Sequence, residues 1–171
     1  MTTQQLRDTF LVPELFVPGE VTVVYTHHDR IVLGGAVPAG KQLALTGYPE
    51  IRSDYFLEHR EVGIINVGGT GTVTADGEVY ELVKGACLYL GRGIRDVVFE
   101  GQDAQFYLFS APAHTSYPAA LVSPGEGTVR ELGDQVTSNR RTLNQYIHEN
   151  GVKSCQIVMG VTQLHEGSMW N

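Results

Sequence analysis

The densest run of side chains able to bind a ligand or move a proton is Glu58-His59-Arg60-Glu61, standing directly before the apolar stretch from Val62 to Val67. Residues two apart on an extended chain share a face, so His59 and Glu61 have the spacing of a ligand pair or a proton-transfer pair. A well-held divalent metal needs three or four ligands. Neither a second His at spacing two nor a later one in the run Gly91 to Phe99, where Arg95 stands, completes the set. The pair therefore predicts no metal site, and the ordinary reading of these residues is a charge cluster at the surface or an interface. His27-His28-Asp29-Arg30 also sets two imidazoles side by side. Adjacent strand residues point to opposite faces, so at most one of those imidazoles faces a pocket.

His114, Thr115 and Tyr117 follow an apolar strand in a proline-flanked loop, a setting in which polar side chains reach ligands. Arg140 and Arg141 are the only adjacent arginines, and a guanidinium fork matches a carboxylate bidentately. Their competing role is a contact between subunits. His148 and His165 stand alone and read as surface or hydrogen-bonded residues. Gly68-Gly69-Thr70-Gly71 has no helix after it, so it reads as a tight turn and not as a phosphate loop. No serine nucleophile elbow and no Cys/His pair is present. The substrate-binding candidates are thus Arg140, Arg141, His59, Arg60, Glu61, His114 and Tyr117, with no metal ligand among them.

The elements that must position these residues are nearly all strands. Thr3 is placed to cap one short helix carrying Leu6, Phe10 and Leu11, which Pro13 stops. From Val21 onward, runs rich in Val, Ile, Tyr and Phe are separated by Gly, Pro and Asp. Asp76-Gly77 between alternating runs predicts a type I′ hairpin, and Lys84-Gly85 a further turn. The runs DVVFEG and AQFYLFSAP predict two more strands. The stretch from Ala113 to Asn139 reads as a long surface connection, RRTLNQYI as an extended segment, and SCQIVMGVTQL as an apolar strand. Turns at this frequency predict an all-β fold, a cupin-like antiparallel β-sandwich or jelly roll.

The 171 residues carry a net charge of −7, and no Lys/Arg run exceeds two residues, so no nucleic-acid partner is expected. No apolar run approaches the roughly 18 residues of a membrane span, and the start lacks the pattern of an export signal. The chain is read as cytoplasmic. Cys87 and Cys155 lie in apolar runs without CxxC spacing and are read as buried free thiols.

Five stretches carry a more specific likeness: YTHHDRIVLGG, SDYFLEHREVGIINVGGTGTVTADG, FYLFSAPAHTSYP, LGDQVTSNRRTLNQY and CQIVMGVTQLHEGSMWN. With them the chain resembles the N-terminal half of the 4-deoxy-L-threo-5-hexosulose-uronate ketol-isomerases. The resemblance implies two cupin-like sandwiches, a homo-oligomer that is a hexamer in the family, and a cytoplasmic role in uronate catabolism downstream of pectin. It implies interconversion of 5-dehydro-4-deoxy-D-glucuronate, a small keto-uronate, with 3-deoxy-D-glycero-2,5-hexodiulosonate, aided by zinc. The family's zinc ligands, three His and a Glu, begin in a Pro-x-His-x-His run after the Trp-Asn that closes this sequence, so none is carried onto this chain. Residues 1–150 are then an N-terminal sandwich with its crossover, and 151–171 the first strand of a second sandwich missing from this chain. On that reading the parent protein is an isomerase and the 171-residue chain alone is inactive. Two alternatives are a metal-free cupin that binds or assembles without catalysis, and a related 5-deoxy-glucuronate isomerase. TSNRRTLNQY fits the ketol-isomerase better than the latter.

Overall fold

Strands form wherever β-branched and aromatic residues alternate between glycines in the computed structural model, which describes residues 1–170. Asn171, the last residue of the closing Trp-Asn, lies outside the described residues. After one helix, α1 (Thr3–Phe10), come β1 (Glu20–Tyr25), β2 (Val32–Val37), β3 (Leu43–Ala44), a 3-10 turn (Pro49–Ile51) and β4 (Arg60–Asn66). There follow β5 (Gly71–Ala75), β6 (Glu78–Leu82), β7 (Cys87–Leu90), β8 (Val97–Glu100) and β9 (Phe106–Pro112). Last come β10 (Ala120–Val122), β11 (Thr128–Leu132), β12 (Arg141–Ile147) and β13 (Met159–Leu164).

A six-stranded sheet in the order β1-β2-β9-β4-β7-β10 faces a four-stranded sheet in the order β3-β8-β5-β6. Val62, Ile64, Leu88, Phe106 and Leu108 from the first meet Val73, Leu82 and Phe99 from the second in the main core. This is the expected all-β cupin-like sandwich. A third sheet, β11-β12-β13, joins a second apolar cluster formed by Ile65, Tyr89, Tyr146, Ile147, Ile157 and Met159. β4 therefore has apolar partners on both faces, and all seven of its residues are buried. The clusters divide it by alternation: Val62 and Ile64 join the main core, while Ile65 joins the second cluster. Gly63 permits the close approach, because a Cβ there would lie 2.7 Å from the Met159 sulfur and 3.0 Å from Ile147 Cδ1.

The hairpin at Asp76-Gly77 forms as expected, with φ of 47° and 87° at its two central residues. Three expectations need correction. The cap of α1 is Thr2: its hydroxyl accepts from the Gln5 N–H at 3.2 Å while the Gln5 side chain accepts from the Thr2 N–H at 2.8 Å. Thr3 lacks a Gln or Glu three residues on, so the capping box forms one residue earlier. The supposed connection Ala113–Asn139 contains β10, which extends the sheet beyond β7, and β11, which pairs with β12. These strands are three and five residues long and set among polar, Pro- and Gly-rich sequence, which hides their alternation. Finally, SCQIVMGVTQL is a strand only from Met159 to Leu164, where it pairs antiparallel with β12. Its first half is irregular because the backbone N–H groups of Cys155, Gln156 and Ile157 bond a carboxylate and no neighbouring strand. RRTLNQYI is extended as expected. Of the two cysteines, both free, Cys87 is buried and Cys155 only half-buried.

Candidate functional site

At one end of the six-stranded sheet the last residues of β1 and β9 and the first of β4 meet the turn after β1 and the 3-10 turn, leaving a cleft of about 710 Å³. Tyr25, His27, Arg30, Arg52, His59 and Arg60 line it. Arg60 sits at its base, 5% exposed. Its Nε donates to Ser110 Oγ at 3.1 Å, and its Nη2 donates to the carbonyls of Arg30 at 2.8 Å and Ser110 at 2.9 Å. All three acceptors are neutral. Nη1 has no partner among the described residues, and no ion pair among them includes an arginine. Burial pulls the Arg60 guanidinium down to about 10, with nearby Tyr25 opposing the fall and the charge of Arg30 adding to it. The group nonetheless stays cationic at neutral pH. Glu50 is the one carboxylate lining this cleft against three guanidinium groups, a local reversal of the chain's net negative charge.

His59 separates this cleft from a second of about 510 Å³ lined by Tyr55, Glu58, Arg92, His114 and Thr115. Arg92 ties the wall together: Nε bonds the Glu58 carbonyl at 3.0 Å, Nη1 the Ala113 carbonyl at 3.2 Å, and Nη2 approaches His59 Nδ1 at 3.0 Å. A guanidinium only donates. Nδ1 is therefore the acceptor in that contact, while Nε2 lies 3.8 Å from a Glu58 carboxylate oxygen.

Glu61 leads a different life from its neighbours. Its carboxylate is fully buried and accepts four hydrogen bonds: from Tyr89 Oη at 2.7 Å and from the backbone N–H groups of Cys155, Gln156 and Ile157 at 2.8, 2.7 and 3.1 Å. Desolvation, then the bond to Glu61, drives the Tyr89 phenol well above its ordinary range. The surface cluster expected of His59, Arg60 and Glu61 is therefore corrected for two of the three. Alternation sends the Arg60 guanidinium to the cleft and the Glu61 carboxylate under the C-terminal segment, while His59 alone is exposed.

The remaining candidates are dispersed. His114 lines the second cleft, whereas Tyr117 packs against the second apolar cluster. Arg140 is exposed, and Arg141 donates from Nη1 to the Asn139 carbonyl at 3.0 Å; neither lines the Arg60 cleft. His165 pairs with Glu131 at 3.4 Å. Of the two adjacent imidazoles only His27 faces the cleft, with its ring edge-on to Tyr25. Arg30, Arg52 and Arg92 also belong to the two clefts, and neither Arg52 nor Arg92 has a distinguishing sequence context. Only the run His27 to Arg30 marked one of them. The described residues do not fit a zinc ion: no three His, Cys, Asp or Glu side chains among them come together, and His59 Nδ1 is taken by Arg92.

A model of the KduI/IolB family matches residues 10–171. The chain belongs to that family. Within it, the chain is 62% identical to a 4-deoxy-L-threo-5-hexosulose-uronate ketol-isomerase of Kineococcus radiotolerans, over 100% of this chain and 64% of the relative. Relatives of the same description from Lachnoclostridium phytofermentans and Escherichia coli are 49% and 46% identical, over 99% and 100% of this chain and 63% and 64% of theirs. The chain thus spans 63 to 64% of the length of these curated relatives. Among solved structures, an IolB-like protein of Salmonella typhimurium shares the fold with a TM-score of 0.51 and 20% identity, over 67% of this chain and 43% of that one.

Proposed function

We propose that the chain is the N-terminal portion of a ketol-isomerase that interconverts 5-dehydro-4-deoxy-D-glucuronate and 3-deoxy-D-glycero-2,5-hexodiulosonate in the breakdown of pectin-derived uronates. Identity of 62% along the whole chain to a relative named for that ketol-isomerase activity supports this reading. The family description joins two groups of proteins, and the names of the curated relatives favour the ketol-isomerase over an isomerase of 5-deoxy-glucuronate. The reaction moves a proton between adjacent carbons while a carbonyl and a hydroxyl exchange places, so nothing is oxidised overall.

In the whole protein, residues 1–150 are proposed to hold one cupin-like sandwich with its crossover, and 151–171, whose β13 pairs with β12 here, to lead into a second that holds the family's zinc. A cytoplasmic hexamer is the proposed assembly. Arg140 and Arg141, whose forks meet no carboxylate among the described residues, are proposed to take one from a neighbouring subunit or from substrate. The test joins residues 1–171 to the C-terminal third of the Kineococcus relative and assays both directions. We expect turnover by the chimera, none by the 171-residue chain, and loss of turnover on chelation. A folded, zinc-loaded chimera without turnover disposes of the reading.

A further inference from the structure

The least expected group in the fold is the Arg60 guanidinium. Burying a cation is costly unless an anion or a full set of hydrogen bonds compensates it. Here the protein supplies three neutral acceptors and no carboxylate. The surroundings add charge of the same sign, since Arg30 and Arg52 line the same cleft. Both also sit at positive φ, 54° and 50°, a backbone conformation that arginine adopts at a cost, so two strained arginines line one space. Glu50 also lines the cleft, so the lining keeps an excess of positive charge that an entering anion stabilises. The phenol of Tyr25, the imidazole of His27 and the hydroxyl of Ser53 also line it, offering donors and acceptors suited to hydroxyl groups. Its volume of about 710 Å³ is within the usual range for small-molecule sites and exceeds the need of a bare inorganic anion.

We propose that the cleft between the 3-10 turn and the start of β4 binds a small hydroxylated carboxylic acid of the hexuronate class, its carboxylate held by Arg60, Arg30 and Arg52. The residues named all belong to this chain. The proposal rests on the uronate reading only for the choice of ligand class. Binding is measured without turnover, so failure of either proposal is visible without the other.

The test titrates the 171-residue protein with D-galacturonate, with D-galactose as the same ring lacking the carboxylate, and with inorganic phosphate, by calorimetry and by thermal shift. Saturable binding of galacturonate with a rise in melting temperature is expected, with galactose and phosphate each about tenfold weaker or worse, the scale of one lost charge-assisted bond. Arg30→Asn and Arg52→Asn alter exposed residues and keep a side chain that tolerates positive φ. Each should fold normally and weaken galacturonate by about tenfold. Arg60→Met, checked for folding by circular dichroism, should abolish it. The proposal is overturned if folded wild-type protein shows no saturable galacturonate binding, if galactose or phosphate binds as tightly, or if both asparagine variants bind undiminished.

Discussion

Replacing Glu61 by Gln keeps the outline of the side chain, removes its charge and substitutes an N–H₂ donor for one of its two acceptor oxygens. Those oxygens receive four donors, so at least one buried N–H or O–H loses its partner, and the others lose an ionised acceptor. We expect Glu61→Gln to destabilise the fold by about 2 to 4 kcal/mol, read as a lower urea midpoint. A loss under about 0.5 kcal/mol would mean that the buried carboxylate contributes no more than a surface polar group. Arg60, its chain neighbour, is read differently, because its side chain turns to the opposite face. The charged run and the two-residue spacing of His59 and Glu61 are visible in the sequence and group these residues. What the sequence hid was how each charge would be compensated. Glu61 finds donors 94 to 96 residues away, and nothing local to Glu58-His59-Arg60-Glu61 reports that.

Among the elements, the strands with the strongest local signals were legible and those defined by distant partners were not. β5 and β6 announce themselves through Asp76-Gly77, whose positive φ values only a few residue types accept cheaply. β10 and β11 are short, half-exposed and recognisable only by the strands they pair with. β4 is intermediate: its apolar run predicts burial, while the third sheet that covers its second face could not be anticipated. That packing gives a test at Gly63. The nearest atoms to an added methyl group are the flexible ends of Met159 and Ile147, so both side chains must shift within a filled cluster. Gly63→Ala should cost about 1 to 3 kcal/mol, as overpacking of a core does. Combination with Met159→Ala should recover part of that cost, and strictly additive losses in the double variant would show that the two residues do not compete for space.

For the whole molecule, the buried acids set the response to alkali. Burial pushes the Cys87 thiol from 9.0 up to about 12 and raises the phenols of Tyr48, Tyr89, Tyr107 and Tyr146 above 10.0. In each case the unfolded chain releases its proton first, so the unfolded state binds fewer protons and stability falls as pH rises. Arg60 acts in the opposite sense, but only between about 10 and 12.5. The thiol and phenol effects begin earlier and are more numerous, so they dominate. The urea midpoint should hold from pH 7 to 8.5 and decline steadily above about pH 9, and Cys87→Ala should delay the onset of that decline. A midpoint that rises between pH 9 and 10.5 contradicts this account.

The link from Glu61 to residues 155–157 also bears on the order in which the molecule assembles. The two facing sheets use residues no later than Val122, so they can close while the residues after Val122 are still a coil. Until those residues arrive, the Glu61 carboxylate stays in water. Docking of the C-terminal segment is then the step that strips it of solvent, and the last part of the chain to settle is the first to leave. In native-state hydrogen exchange, the amides of Cys155, Gln156 and Ile157 should exchange through a partial opening while β4, β7 and β9 remain protected. The acidic side chain at the head of β4 thus acts as the latch between two cooperative units of a single polypeptide.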